Sequence, residues 1–427
     1  MNRFGRIIIP IIAGFFMLQQ PVYAYIDPGT GSMLFSIIVG AAATLFFILN
    51  SLIMRLKSII FTSKKLGEKS APFVIYSEGN QYWCVFKPVL DEFEKRKINV
   101  VYYTSAQNDQ IFKENYKYIN SEFIGKGNKA YFKLAFLNAD ICLMTTPQLD
   151  VLQLKRSKKV KHYSHILHAI SFSCGYHLYG LDYYDSVLCD ADFQIPLIRK
   201  IETKRNLPQK ELPVVGSTYM DYYNSIKPQT NEQNNGQIKT VLVAPSWGKC
   251  NLLHKIGFKL LDKLAKSDFN IIVRPHPQSL IVEKEFIKNL VKKYENFENI
   301  TWDFSPNNIE TLSKADVLIS DFSGVMFDYA FLFNKPFIYI DTDFNFEMTD
   351  VIDLDEIPYR YKVADVIGKK IKPDEIENID IQEIIKELTE GGITEKIQKE
   401  KDYAWMYQTK AAEKVVDFLV KKQKELQ

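Results

Sequence analysis

The sequence predicts an α/β protein in which two parallel-sheet domains follow an apolar N-terminal region. From residue 71 onward, short apolar runs alternate with amphipathic helical segments, which is the pattern of parallel βαβ units. A second series of the same kind begins near Lys239. At 427 residues the chain is also longer than one ordinary hydrophobic core supports. We therefore expect two domains plus attached segments.

The first half, residues 71–227, contains the predicted strands FVIYSEG, INVVYYTS and YSHILHAIS. The second half, residues 238–393, contains KTVLVAPSW, FNIIVRPHP, ADVLISDFS and KPFIYID, with helical segments between them. The runs around Ala139-Asp140 and Ala315-Asp316 are similar in type and position, so the halves are expected to share a topology.

The polar run PQTNEQNNGQ, Pro228 to Gln237, has the composition of an inter-domain linker. A C-terminal helix is predicted over residues 394–427, packing back across the first domain. Two Rossmann-like domains that face each other across a cleft constitute the GT-B fold, and this is the predicted architecture.

The N-terminal region has two apolar segments. Residues 1–24 combine a short basic start, an apolar run and a small-residue ending, as in a signal peptide or a first membrane helix. Met33 to Met54 is apolar without a charge and long enough to cross a hydrocarbon core of about 30 Å, although a buried helix is the alternative. Because Arg55 and Lys57 follow it, we expect a membrane anchor with both domains in the cytoplasm.

Composition narrows the class of function. The net charge of +3 argues against a dedicated nucleic-acid binder. The five cysteines are scattered, odd in number and without metal-ligand spacing, as in reduced cytosolic proteins. His162, His165 and His168 recur every three residues, but alternation along a strand would place His165 on the opposite face. We therefore predict neither a metal nor a cofactor.

Candidate phosphate ligands follow a strand in the second half. Arg274 and His276 lie in the stiff loop Arg-Pro-His-Pro, where both prolines lack an amide donor. His276 can donate a hydrogen bond to a phosphate oxygen. Arg274 either contacts the same anion or braces the loop through a carboxylate. A loop-capping role for His276 is the alternative.

A hydroxyl-rich turn opens the next predicted helix of this half. Ser323, Gly324 and the unpaired amides of the helix N-terminus suit a diphosphate, whereas an ordinary N-cap by Asp321 or Ser323 is compatible with it. Asp328, one turn later, points toward a ribose, a cationic group or solvent. Ser246, at the end of the strand in KTVLVAPSW, is a further phosphate candidate, and the adjacent Trp247 either contacts a base or sugar or lies in the core.

On the first half, His168 at the end of a predicted strand is the candidate general base.

With these residues assembled, the chain resembles the CDP-glycerol glycerophosphotransferase family, membrane-associated enzymes that build teichoic-acid-like poly(glycerol phosphate). The similarity covers roughly His162 to Asp341. It is strongest in Arg274 to Pro277 and in Ser320 to Pro336, and Ala244 to Trp247 is similar to the family's A-P-T-W.

The resemblance implies that His276 and the Ser323 turn hold the donor pyrophosphate and that His168 deprotonates the acceptor hydroxyl. The sequence departs from the family pattern at Leu167 and Ala169, which replace a tryptophan and a glycine beside His168. Gly324 stands where the family usually has a second serine.

The expected partners are CDP-glycerol or another nucleotide-diphosphate donor, and a lipid-linked or polymeric envelope acceptor at the membrane. Two alternatives remain open: a GT-B glycosyltransferase that uses a nucleotide sugar, and a non-catalytic relative that serves as a scaffold.

Overall fold

The computed structural model describes residues 70–170, 174–228, 240–305, 307–342, 346–390 and 392–427, and the helical residues 39–42, 44–46 and 48–49. The predicted segment 1–24, most of Met33 to Met54 and linker residues 229–237 lie outside the described residues. No helix in the described part of the chain is both long and apolar enough to cross a bilayer.

The first sheet is parallel and has six strands in the order β3-β2-β1-β4-β5-β6. The strands are β1 Ala71–Ser77, β2 Val100–Thr104, β3 Ile119–Phe123, β4 Asn138–Met144, β5 Lys159–Ile166 and β6 Ser186–Leu188. The helices of this half are α1 Trp83–Lys95, α2 Asn128–Leu134, α3 Gln194–Lys204 and α4 Thr218–Ile226.

The second sheet is also parallel, in the order β12-β11-β10-β7-β8-β9. Its strands are β7 Thr240–Val243, β8 Asn270–Val273, β9 Ile300–Trp302, β10 Val317–Ser320, β11 Phe337–Ile340 and β12 Gly368–Ile371. The helices that follow α4 are α5 Leu252–Leu264, α6 Ser279–Val282, α7 Lys284–Tyr294, α8 Ile309–Lys314, α9 Val325–Phe333, α10 Tyr359–Ile367, α11 Ile381–Glu390, α12 Ile393–Ala404 and α13 Ala411–Glu425.

The two sheets have the same topology. Counted within its own half, each has the strand order 3-2-1-4-5-6 of a doubly wound Rossmann sheet. The strands are all parallel, but the order in which they are added to the sheet reverses between the first and fourth strands, which are β1 and β4 in one half and β7 and β10 in the other. Ligands of such sheets bind beyond the carboxyl ends of the strands at this switch point. The fold therefore contains two equivalent candidate sites.

The C-terminal segment forms two helices, whereas the sequence predicts one. α12 and α13 are separated at Trp405 to Lys410, where Asp221 of α4 accepts three hydrogen bonds. The donors are Trp405 Nε1 at 3.0 Å, the Thr409 amide at 2.8 Å and the Ala411 amide at 3.0 Å. α13 then returns to the first half, where Val415, Val416 and Leu419 share an apolar cluster with residues of α1.

Candidate active site

The loops that follow the strands of the two sheets contact each other. The Leu178 amide, beyond β5, donates to the Met348 carbonyl at 3.2 Å, beyond β11. Ile170, two residues after His168, belongs to the same buried apolar cluster as Ala244 beyond β7 and Met326 of α9. The carboxyl ends of both sheets are therefore apposed, and the side chains at those ends line one inter-domain region.

A buried ionic cluster joins the two halves at this border. Arg205, after α3, donates to Asp182 at 2.6 Å, to Asp350 at 2.7 Å and to Asp353 at 2.7 Å. Asp350 also accepts the backbone amides of Tyr179 at 2.8 Å and Gly180 at 3.1 Å. Because Asp350 belongs to the second half, these contacts hold the loop after β5 against the second half.

Asp321 occupies the switch point of the second sheet and is fully buried. Its carboxylate accepts the Ser246 amide at 2.8 Å and the Leu252 amide at 2.9 Å. Asp321 therefore caps the loop after β7 and the start of α5. Burial raises the pKa of the Asp321 carboxyl, and these amides oppose that effect. A phosphate contact by Asp321 remains a prediction, and both of its carboxylate oxygens have partners within the protein.

The N-terminus of α9 carries Ser323 and Gly324. The Ser323 hydroxyl accepts the Val325 amide at 3.4 Å, a long hydrogen bond just before the helix, and the N-cap position itself is Gly324, which has no side chain to cap the helix. Gly324 has ordinary right-handed helical geometry, and a Cβ added there would lie 3.5 Å from Nη2 of Arg360. Ser246 lies nearby, with its side chain largely buried against the Asp321 loop.

Arg360 is a candidate residue that the sequence analysis missed. It is buried at the start of α10 and donates to the Phe322 carbonyl at 3.2 Å. Its guanidinium thus lies beside the α9 N-terminus, where it adds positive charge to the helix dipole. No local pattern indicates this, because Arg360 follows no strand and reaches the turn only through the packing of α10.

Asp328 points into the protein interior. Tyr219 donates to its Oδ2 at 2.7 Å, and burial raises the pKa of the Asp328 carboxyl to about 6, partly offset by Tyr219 and Arg360. Of the alternatives predicted for Asp328, solvent exposure is wrong because the residue is 8% exposed.

Arg274 and His276 follow β8 and differ in their roles. Arg274 forms an ion pair with Asp303 and donates to the Ser305 hydroxyl at 3.0 Å and the Ser305 carbonyl at 2.7 Å. These contacts favour the bracing alternative over a direct phosphate contact. The Gln278 amide donates to Nδ1 of His276 at 3.1 Å, so the neutral ring carries its proton on Nε2. Burial lowers the pKa of His276, which favours this neutral donor form.

Trp247 provides an exposed aromatic face beside His276. Half of its surface is accessible, and the two ring centroids are 6.5 Å apart. The alternative of a core tryptophan is therefore wrong, and the indole is available to stack on a base.

His168 follows β5 and has hydroxyl partners. Its Nδ1 lies 2.8 Å from the Thr145 hydroxyl and 3.2 Å from the Tyr176 hydroxyl. Burial lowers the pKa of His168 to about 4. If Nδ1–H donates to Thr145, Nε2 keeps its lone pair and can accept a proton. The ring also packs edge-on against Tyr82, with centroids 5.1 Å apart.

The other two histidines of the motif have separate partners. His162 Nε2 lies 2.9 Å from the Ser186 hydroxyl, and His165 Nε2 lies 3.1 Å from the Tyr176 hydroxyl. The part of the chain that the structure describes contains no cluster of three His, Cys, Asp or Glu side chains arranged to hold a metal.

Residues 215–359 match the family model described as CDP-Glycerol:Poly(glycerophosphate) glycerophosphotransferase. This match confirms the predicted family resemblance. It covers about a third of the chain, including α4, β7, β8, β10 and α9, and it supports the assignment as a glycerophosphotransferase-like enzyme. No curated protein shows significant sequence similarity to the chain.

Solved structures support the GT-B architecture. The wall teichoic acid polymerase TagF, in an H444N form with CDPG, is 14% identical with a TM-score of 0.52, covering 88% of this chain and 98% of its own. A UDP-GlcNAc 2-epimerase from Methanocaldococcus jannaschii is 16% identical with a TM-score of 0.54, covering 83% and 100%. A glycosyltransferase from Rickettsia africae is 11% identical with a TM-score of 0.51, covering 83% and 99%. These similarities confirm the two-domain parallel-sheet fold.

Proposed function

We propose that this protein transfers glycerol phosphate from CDP-glycerol to a cell-envelope acceptor at the cytoplasmic membrane, releasing CMP. The observation that supports the proposal is at the second switch point: residues 215–359, which match the family model, contain His276, Ser323 and the start of α9, and the exposed Trp247 lies beside His276. The positive end of a helix dipole and a neutral imidazole N–H are suitable partners for a diphosphate. The indole supplies a face for the cytosine ring.

In the proposed reaction, an acceptor hydroxyl oxygen forms a bond to the β-phosphorus as the bond between that phosphorus and the bridging oxygen breaks. CMP leaves with the electron pair of the broken bond. The hydroxyl proton passes to Nε2 of His168, held by Thr145 and Tyr176. General-base assistance of this kind typically contributes about 10²–10⁴-fold in rate. His276 and the α9 amides stabilise the charge on the phosphates.

The proposal retains the membrane anchor predicted at Met33 to Met54. The basic residues that follow this segment would hold the catalytic domains near anionic lipid, where a lipid-linked acceptor lies.

A release assay tests the donor. The full chain, in detergent with added membranes, is incubated with CDP-glycerol or with UDP-sugars, and CMP and UDP are measured. We expect CMP release that increases with acceptor and decreases about 10²–10⁴-fold in His168→Gln. UDP release without CMP release would favour the glycosyltransferase alternative.

The scaffold alternative is favoured by the low pKa of His168 and by the replaced neighbours Leu167 and Ala169. Complementation of a deletion strain separates it from the enzyme. Full function in both His168→Gln and His276→Gln would support the scaffold and contradict the transferase.

A further inference from the structure

A cavity lies beside the switch point of the first sheet, on the side of β2 and β3 and outside the donor site. It has a volume of about 540 Å³ and opens beyond the carboxyl ends of β1 and β2. Glu78 and Gly79 follow β1, Ser105 follows β2, and Lys126 lies in the loop between β3 and α2. Since both sheets have the same strand order, the loops after β1 and β2 correspond to the loops after β7 and β8, which carry Trp247 and His276.

The cavity contains a carboxylate without a cationic partner among the described residues. Glu78 is half-buried and accepts a hydrogen bond from the Tyr131 hydroxyl at 3.0 Å. Burial raises the pKa of the Glu78 carboxyl, while Tyr131 and the nearby Thr146 side chain oppose the effect. A carboxylate with remaining acceptor capacity in a polar cavity suits the hydroxyls of a polyol.

The lining of the cavity also includes a positively charged residue. Lys126 is exposed and forms no ion pair with any described residue. It lies between Gly125 and Gly127, whose φ values of 103° and 53° are in the left-handed region. These two glycines allow the loop to turn at Lys126, which lines the cavity. An ammonium group in this position suits a phosphate.

The cavity adjoins the candidate base. Thr145 contacts His168, and the next residue, Thr146, lies beside Glu78. Tyr82, in the segment that follows Glu78, packs against His168. Burial raises the pKa of Tyr82 to about 12, and the nearby Glu78 carboxylate adds to the shift. One short segment of chain thus links the carboxylate of the cavity to the imidazole.

We infer that this cavity binds the terminal phosphopolyol unit of the acceptor, with Glu78 accepting hydrogen bonds from its hydroxyls and Lys126 pairing with its phosphate. The inference rests on the proposed function for the identity of the acceptor, and it names the chemical class of that acceptor. A cavity with both a carboxylate and an ammonium group favours a phosphopolyol over two simpler ligands. A neutral sugar would need no cation, and inorganic phosphate would need no carboxylate.

The test is direct binding in the absence of donor. Titration of the full chain with glycerol 3-phosphate, glycerol and inorganic phosphate is expected to give the tightest binding for glycerol 3-phosphate. Glu78→Gln and Lys126→Gln are each expected to weaken it by about tenfold or more, since each removes a charge-assisted contact. Lys129→Gln is the matched control, because Lys129 is exposed in the first turn of α2, three residues after Lys126, but does not line the cavity. CMP binding should be unchanged in all three variants.

Vesicles of phosphatidylcholine with phosphatidylglycerol separate the two sources of such a group. If the vesicles compete with glycerol 3-phosphate, the site accepts a glycerol phosphate unit carried by a lipid. If they do not compete, the site accepts only a glycerol phosphate unit that is free of lipid. Absence of glycerol 3-phosphate binding, or equal binding in wild type and in both cavity variants, would overturn the inference. Intact glycerol 3-phosphate binding without CDP-glycerol turnover would overturn the proposed donor and leave the cavity assignment standing.

Discussion

Replacement of Asp321 by asparagine distinguishes a structural role from a ligand contact at the donor site. The two carboxylate oxygens of Asp321 accept the Ser246 and Leu252 amides at 2.8 and 2.9 Å, and the residue is fully buried. Asparagine offers one carbonyl oxygen and one NH₂ group. One of the two backbone amides would therefore face another donor inside the protein.

The expected loss of unfolding free energy follows from these contacts. A hydrogen bond to a charged group contributes about 1.5–3 kcal/mol, and a buried donor left without a partner costs about 1–3 kcal/mol. Burial raises the pKa of Asp321, so removing its charge also removes a desolvation penalty. We expect a net destabilisation of about 2–4 kcal/mol, the lower part of the combined range.

Urea unfolding measures this change, and CMP titration measures donor binding in the same preparations. Asp268→Asn is the control, because Asp268 is exposed in the same half, and its effect should stay within about 0.5 kcal/mol. Asp321→Asn should lower both the unfolding midpoint and CMP affinity, since the loop that carries Ser246 and Trp247 loses its support. Wild-type stability combined with lost CMP binding would refute the capping argument and identify Asp321 as a ligand contact.

Three further predictions concern His168, Arg205 and Trp247. Because burial lowers the pKa of His168 to about 4, roughly nine-tenths of the rings are neutral at pH 5, and kcat/KM should stay nearly flat from pH 5 to 8. A fall in kcat/KM toward acid pH that is centred near pH 6.5 would contradict this prediction. Arg205→Met leaves Asp182 and Asp350 buried without their cation, and urea unfolding should show a destabilisation of about 3–5 kcal/mol. The control Lys204→Met removes an exposed ion pair and should cost at most about 1 kcal/mol. Trp247→Ala should weaken CMP binding by about tenfold without changing the urea midpoint, and unchanged CMP affinity would exclude the stacking role.

The two-domain fold was predictable because hydrophobic periodicity marks strands and helices locally. The similar runs at Ala139-Asp140 and Ala315-Asp316 correspond to the starts of the fourth strands, β4 and β10, of two sheets with one topology. The single helix predicted over residues 394–427 is divided at Trp405 to Lys410 because Asp221 holds that segment through contacts about 190 residues away in sequence.

The partners of the site residues were not predictable, since they depend on tertiary contacts. Arg274 pairs with Asp303, 29 residues later, and Asp321 caps amides 69 and 75 residues earlier. The sequence places Arg274 and Asp321 beside strand ends but contains no signal for the directions of their side chains. Glu78 likewise follows an ordinary apolar strand, and its importance emerges only when the strand order puts β1 next to β4.

The low basicity of His168 bears on whether its altered surroundings permit catalysis. Phosphoryl transfer usually passes through a loose transition state, in which little bonding to the nucleophile has developed and positioning dominates. A base whose pKa is about 4 withdraws the proton late, when the new bond already makes the hydroxyl acidic. Thr145 and Tyr176 fix the ring without the charge of a carboxylate, and so they orient it without raising its basicity. The loss in His168→Gln should therefore fall near the lower limit, about 10²-fold, and acceptor positioning by the first-sheet cavity should contribute more of the rate than proton transfer.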